Sequence, residues 1–168
     1  MPHLRRNTRI VIPADAIPPL GRAADYLQAQ IARRTGWTWP VAAGATPGPG
    51  DVLLSVQSVS PAATEEIAVL TGAADSPAVT ATASGPSVCL AAAGRLLRLL
   101  RLEPGLAWLP PTSLRERPAY PVRGHTFANH KQTNTYDKWN LVEWEEYLTD
   151  MAASGANIAV FYPLHPAR

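Results

Sequence analysis

The stretch NLVEWEEYLTDMAASGANIAVFYP, from Asn140 to Pro163, decides the fold class. Asn140 is a helix-capping residue type, and Glu143 follows three positions later, the spacing of a capping box. Leu141, Trp144, Leu148 and Met151 then recur at helical period and predict the apolar stripe of one helix. Glu143, Glu145, Glu146 and Asp150 fall on the faces left for water or partners, and the early acids suit the positive end of the helix dipole. Gly155 stops the helix. NIAVFYP is a continuous apolar run, as expected of a strand covered on both faces. YPVRGHTF, ending at Phe127, reads as a strand before the helix. Strand, helix and second strand predict a βαβ unit with a parallel pair and a right-handed crossover.

Working backwards, RIVIP (Arg9–Pro13) is a short β-branched strand. Leu20, Ala24, Leu27 and Ile31 recur at helical spacing, with Pro18 and Pro19 at the entry and Gly36 as the stop, so a helix runs to Thr35. DVLLSV (51–56), EIAVL (66–70) and AVTATA (78–83) read as strands. Ser84 or Gly85 caps a second helix, with Pro86 in its first turn and an Ala/Leu run that extends to Leu102. Gly94 inside that run predicts close packing against a sheet. Arg95, Arg98 and Arg101 lie at i, i+3 and i+6, which predicts a solvated face opposite the leucines. After it comes a Pro-punctuated connector with a strand at Leu106–Leu109.

The character of the chain changes near Pro118. Of 12 aromatic residues (five Trp, five Tyr, two Phe), eight lie at or after Tyr120, as do both lysines, Lys131 and Lys138. A boundary at Pro118 divides the chain into an α/β domain at 1–118, with helices on one sheet, and the βαβ segment at 119–168.

Composition excludes several classes. The 168 residues are 46% hydrophobic, enough for a core, and carry a formal net charge of +2 with no basic run longer than a pair, which gives no nucleic-acid footprint. No window reaches the roughly 18 apolar residues of a membrane span. The N-terminal MPHLRRNTRIVIPADAIPP lacks the apolar segment of a secretory signal, so a cytoplasmic setting is the expectation. The lone Cys89 lies in the apolar VCLAAAG and predicts a buried, inert thiol. His125, His130 and His165 match no ligand spacing, and neither metal nor cofactor is expected. TPGPGD lacks the Lys-Ser/Thr of a phosphate loop. The acids of Asn140–Asp150 sit on a helix, so no catalytic residue is assigned.

The tail motifs RGH (Arg123–His125), TNTYDKW (Thr133–Trp139), WEEYLTDMA (Trp144–Ala152) and SGAN (Ser154–Asn157) resemble the opening of the catalytic barrel in α-glucuronidase-like and hexosaminidase-like glycoside hydrolases. In those families a small α/β domain precedes a (β/α)8 barrel. RIVIP, a helix ending in Thr35-Gly36, GDVLLS and GRLLRLL stand in the matching order, so the resemblance covers nearly the whole chain. It implies an α/β fold: a hexosaminidase domain 2-like sandwich, then the first β-α-β of an incomplete (β/α)8 barrel. It further implies a parent that hydrolyses O-glycosidic bonds, for instance in glucuronoxylan fragments. Two departures bear on this. A full barrel takes about 250 residues, and the paired carboxylates of such enzymes come from later strands. The chain alone is therefore expected to be inactive.

The same resemblance makes Arg123 the sugar reader on the first strand, with its fixed guanidinium fork. His125 alternates to the same strand face. Asn129, Asn134, Tyr136 and Trp139 follow the strand in the loop position from which barrel sites are built, and are residue types that bond to and stack on sugars. Tyr162 and His165 follow the second strand. A second reading stays open: a non-catalytic carbohydrate-binding or protein-interaction module, self-associating through the exposed strand edge after NIAVFYP.

Overall fold

The computed structural model describes residues 3–58, 65–72, 77–127 and 138–161. The order is β1 (His3–Leu4), β2 (Ile10–Ile12), α1 (Pro18–Thr35), β3 (Val41–Ala43), β4 (Val52–Val56), β5 (Ile67–Thr71), β6 (Val79–Ala83), a 3-10 turn at Pro86–Val88, α2 (Cys89–Leu99), β7 (Arg101–Glu103), β8 (Leu106–Trp108), β9 (Ser113–Glu116), β10 (Gly124–Phe127), α3 (Leu141–Ala153) and β11 (Ile158–Phe161). It is a mixed α/β fold. No described helix is long and apolar enough to cross a membrane.

A six-stranded sheet in the order β3-β2-β4-β6-β5-β9 forms the frame. β2, β3, β4 and β6 are parallel, while β5 runs antiparallel to both β6 and β9. The period of two puts Ile10, Ile12, Val52, Leu54, Val69, Val79, Ala81 and Ala83 on one face, all buried. α1 and α2 pack side by side over that face. The stripe Leu20, Ala24, Leu27 and Ile31 is 2% exposed or less, as its helical spacing predicts. Gly36 closes α1 with a left-handed φ of 75° and donates its N–H to Ala32 O. Trp39 is fully buried and pins the strand entry, its Nε1–H donating to Arg5 O at 2.9 Å.

α2 is shorter than the Ala/Leu run suggests. Leu100 turns extended at ψ 136°, and Arg101 and Leu102 enter β7 of the small sheet β1-β8-β7. The β7–β8 hairpin turns at Glu103-Pro104-Gly105-Leu106, where Gly105 has φ 72°. Pro then Gly is what a type II turn requires, and this turn claims residues that propensity alone assigns to the helix.

The arginine face is not simply solvated. Arg95 pairs with Glu116 of β9 at 2.5 Å, and Arg98 Nη1 donates to Ala153 O at 3.0 Å; only Arg101, carried into β7, lies wholly outside the helix. Gly94 likewise does not face the sheet. A Cβ there would stand 2.0 Å from Ala153 O, so the glycine admits the C-terminal end of α3.

β10 and β11 pair in parallel, Gly124 opposite Ile158 through Phe127 opposite Phe161, with α3 as the crossover. Asn140 and Glu143 form the complete capping box: Asn140 Oδ1 accepts from Glu143 N at 3.1 Å, and Glu143 Oε2 accepts from Asn140 N at 2.8 Å. β11 departs from expectation. Ile158 is 42% and Phe161 52% exposed, so the strand is not covered on both faces. Leu141 is 82% exposed and leaves the α3 stripe, which meets the strands through Trp144 and Tyr147 instead. Geometry accounts for this: four strand residues span about 13 Å, thirteen helical residues about 20 Å, and the first turn overhangs.

Candidate functional site

Arg123, Gly124 and His125 line a shallow groove of about 470 Å³ with Tyr147, Asp150, Met151 and the α3–β11 turn Ser154–Ala156. Gly124 is required here by close approach, since a Cβ would stand 1.8 Å from Ile158 O on the neighbouring strand. Arg123 and His125 share the face directed at α3, as strand alternation predicts.

Every nitrogen of the Arg123 guanidinium donates within the fold. Nε bonds Gly155 O at 2.8 Å, Nη1 bonds Tyr120 O at 2.5 Å, and Nη2 pairs with Glu65 Oε2 at 2.5 Å. The backbone is tied as well: Arg123 N donates to Asn157 Oδ1, and Arg123 O accepts from Asn157 N and Ile158 N. Asn157 Nδ2 completes the set on Pro121 O. This arrangement fixes the start of β10 to the start of β11. It also puts Arg123 at the amino end of β10, opposite to the end from which the segment 128–137 departs.

His125 Nδ1 lies 2.7 Å from Tyr147 Oη. Phe127, 6% exposed, stacks on Phe161 at 4.9 Å and meets Trp144 and Tyr147 edge-on at 5.1 and 5.7 Å. Trp139 packs on Trp144 and Tyr147 at 5.1 and 5.0 Å. Each such pair adds about 0.5–1.5 kcal/mol beyond area burial. The sequence's aromatic concentration is thus largely a packing cluster between β10, β11 and α3. Trp139 belongs to this cluster and does not line the groove of Arg123 and His125. Asn129, Asn134, Tyr136, Tyr162 and His165 lie outside the described residues.

Sequence reasoning missed the partners that define this region. Tyr147 stands three residues after Trp144, so helical period places both over the strands. Asn157 sits in the quoted SGAN without a role, while nothing local to Glu65 marks it as the partner of Arg123. The carboxylate nearest the groove, Asp150, accepts from Tyr26 Oη at 3.1 Å; burial and this bond raise the Tyr26 phenol above its usual range. No group of three His, Cys, Asp or Glu side chains is placed to hold a metal among the described residues.

Two further titrating groups belong to the frame. Arg9 grips Asp51 with both Nε (3.1 Å) and Nη2 (2.6 Å), and Gly48 N donates to the same carboxylate at 2.8 Å. Burial alone would raise Asp51, but these bonds outweigh it and hold the carboxyl below its usual range. Cys89 is buried against Gly85 O, and burial pushes its thiol up to about 11.

No family model matches the chain, and no curated protein matches it in sequence. Solved structures do match in fold. The GH20 β-N-acetylhexosaminidase from Streptomyces coelicolor A3(2) aligns with a TM-score of 0.70 and 20% identity over 95% of this chain. The Streptomyces plicatus N-acetyl-β-hexosaminidase, solved with Thio-NAglucal, gives 0.68 and 20% over 95%, and Flavobacterium johnsoniae chitobiase gives 0.59 and 14% over 74%. The chain spans 31%, 31% and 20% of those proteins, respectively. The described chain therefore has the α/β fold of a part of GH20 β-N-acetylhexosaminidases.

Proposed function

We propose that the chain is the α/β domain and the opening βαβ unit of a glycoside hydrolase of the β-N-acetylhexosaminidase type, whose parent hydrolyses N-acetylhexosaminides. The observation that carries this is the extent of the likeness. Residues 1–118 are 118 of 168, so an alignment over 95% of the chain runs on into the βαβ unit. A likeness confined to the α/β part would carry far less, because such sheets serve many functions.

The βαβ unit supports the same reading. β10 and β11 pair only with each other among the described residues, and β11 exposes Ile158 and Phe161. Further βα units of a barrel would cover both. The motifs also resemble α-glucuronidase-like enzymes acting on glucuronoxylan fragments; the structural neighbours favour N-acetylhexosaminides instead. GH20 enzymes are among the substrate-assisted exceptions to the two-carboxylate scheme, so that scheme gives way in this reading.

Barrel sites form at the carboxyl ends of strands. Asn129, Asn134, Tyr136 and Trp139, which follow β10 in sequence, remain the proposed sugar contacts. Arg123 and His125 stand at the amino end of β10, on the side of α3, and take a scaffold role in this proposal.

The fragment reading is tested by reading the coding frame past Arg168 and assaying the purified chain. Continued strand–helix repeats, with no release of 4-nitrophenol from an aryl N-acetyl-β-glucosaminide by the chain alone, are expected. An immediate stop with a stable dimer in solution would instead favour an interaction module paired through β11.

A further inference from the structure

We infer that the α2 side of the α/β domain is a docking surface for the βαβ unit of the same chain, and that the βαβ unit depends on this contact to stay folded. This goes beyond the hydrolase reading and does not depend on it.

The βαβ unit has little core of its own. After Pro118 only Phe127 and Ala153 are buried among the described hydrophobic residues, while Leu141, Val142, Ile158 and Phe161 are exposed. A two-stranded sheet is marginal on its own, and one helix that buries so few side chains against it adds little core. Ala153 owes its 1% exposure to α2, where Gly94 leaves room for the α3 terminus.

Three polar contacts join the βαβ unit to the domain, from α2, from α1 and from the segment just before β5. Arg98 Nη1 donates to Ala153 O at 3.0 Å, where the last carbonyls of α3 lack helical partners. Tyr26 of α1 donates to Asp150 at 3.1 Å. Glu65, just before β5, holds Arg123 at 2.5 Å, so the first residue ahead of β10 is tied to the same domain. Together they hold the end of α3 and the start of β10.

Gly94→Ala separates docking from helix propensity by sign. Ala is the best helix former and Gly among the poorest, so α2 alone predicts a gain. The docking surface predicts a loss, because a Cβ would meet backbone atoms of Ala153 rather than a movable side chain. Glu65→Gln supplies a second variant that leaves α2 untouched.

Native-state amide hydrogen exchange on the full chain tests the inference. Wild type is expected to protect β10, α3 and β11. In G94A and E65Q those segments are expected to lose protection by roughly tenfold or more, with β2, β4 and β6 unchanged. If G94A unfolds the whole chain, E65Q decides on the same criterion. Unchanged protection of β10, α3 and β11 in E65Q, together with unchanged or increased protection in any folded G94A, overturns the inference.

Discussion

Arg123 Nη2 stands 2.5 Å from Glu65 Oε2 across 58 residues of sequence, with the two side chains 20% and 23% exposed. An ion pair this sheltered lies between the exposed pairs that contribute under 1 kcal/mol and the buried ones whose breaking costs 3–5 kcal/mol. Arg123 also feeds two carbonyls that need its planar fork. Arg123→Lys keeps the charge but not the fork, and is expected to cost about 1 kcal/mol. Arg123→Ala should cost about 2 kcal/mol. Urea denaturation measures both; equal stability of all three proteins would show that the pair contributes nothing.

Asp51 and Glu66 set the acid limb of stability. Bonds from Arg9 and Gly48 hold Asp51 low against its burial, and Arg117, opposed by burial and helped by the charge of Arg115, holds Glu66 low. A depressed carboxyl stabilises the fold above its unfolded pKa, near 4, and loses that contribution as pH falls through the folded value. Stability should therefore be flat from neutral pH down to about 5 with respect to these groups and decline below about 4. Asp51→Asn should lower stability at neutral pH and flatten that decline, as read by denaturation midpoints at a series of pH values. A variant with the same acid slope as wild type would remove Asp51 from this role.

Cys89 is buried with its thiol raised to about 11. Since the thiolate is the reactive form, the native protein should not react with a disulfide reagent at pH 8, and one thiol should appear in denaturant. Rapid labelling of the native chain would contradict its burial at the start of α2.

The capping box of Asn140 and Glu143 starts α3 at a first turn whose Leu141 and Val142 are exposed. With little packing to hold that turn, Asn140→Ala should cost about 1 kcal/mol. The effect should appear as faster amide exchange at the start of α3. No change there would mean that packing around Trp144 alone sets the helix start.

Much of the fold was legible in the sequence because local signals agreed with tertiary ones. Leu20 to Ile31 gave α1, Asn140 and Glu143 gave the α3 cap, and the apolar runs gave β2, β4, β5, β6 and β11. The short strands were not legible. β3 is three residues held by β2, and β9 is SLRE, a polar edge strand defined by its ladder to β5. β7 was hidden by leucines with high helix propensity, although Pro104-Gly105 marked its turn. Gly94 and the arginines were misdirected for one reason. The partner of Gly94 and Arg98 is α3, 55 residues from Arg98, and that of Arg95 is Glu116 of β9; no local pattern reports what packs against a helix from such distances. The same holds for Arg123: its residue type and motif suggest a ligand, while Glu65, Tyr120 and Gly155 take up its nitrogens.

The central claim, a β-N-acetylhexosaminidase-type parent, is tested most directly by parallel hydrolysis assays on the product of the complete reading frame. The account predicts release of 4-nitrophenol from the aryl N-acetyl-β-glucosaminide and none of glucuronic acid from aldouronic oligosaccharides. Hydrolysis of the aldouronic substrate with no turnover of the N-acetylhexosaminide would contradict it.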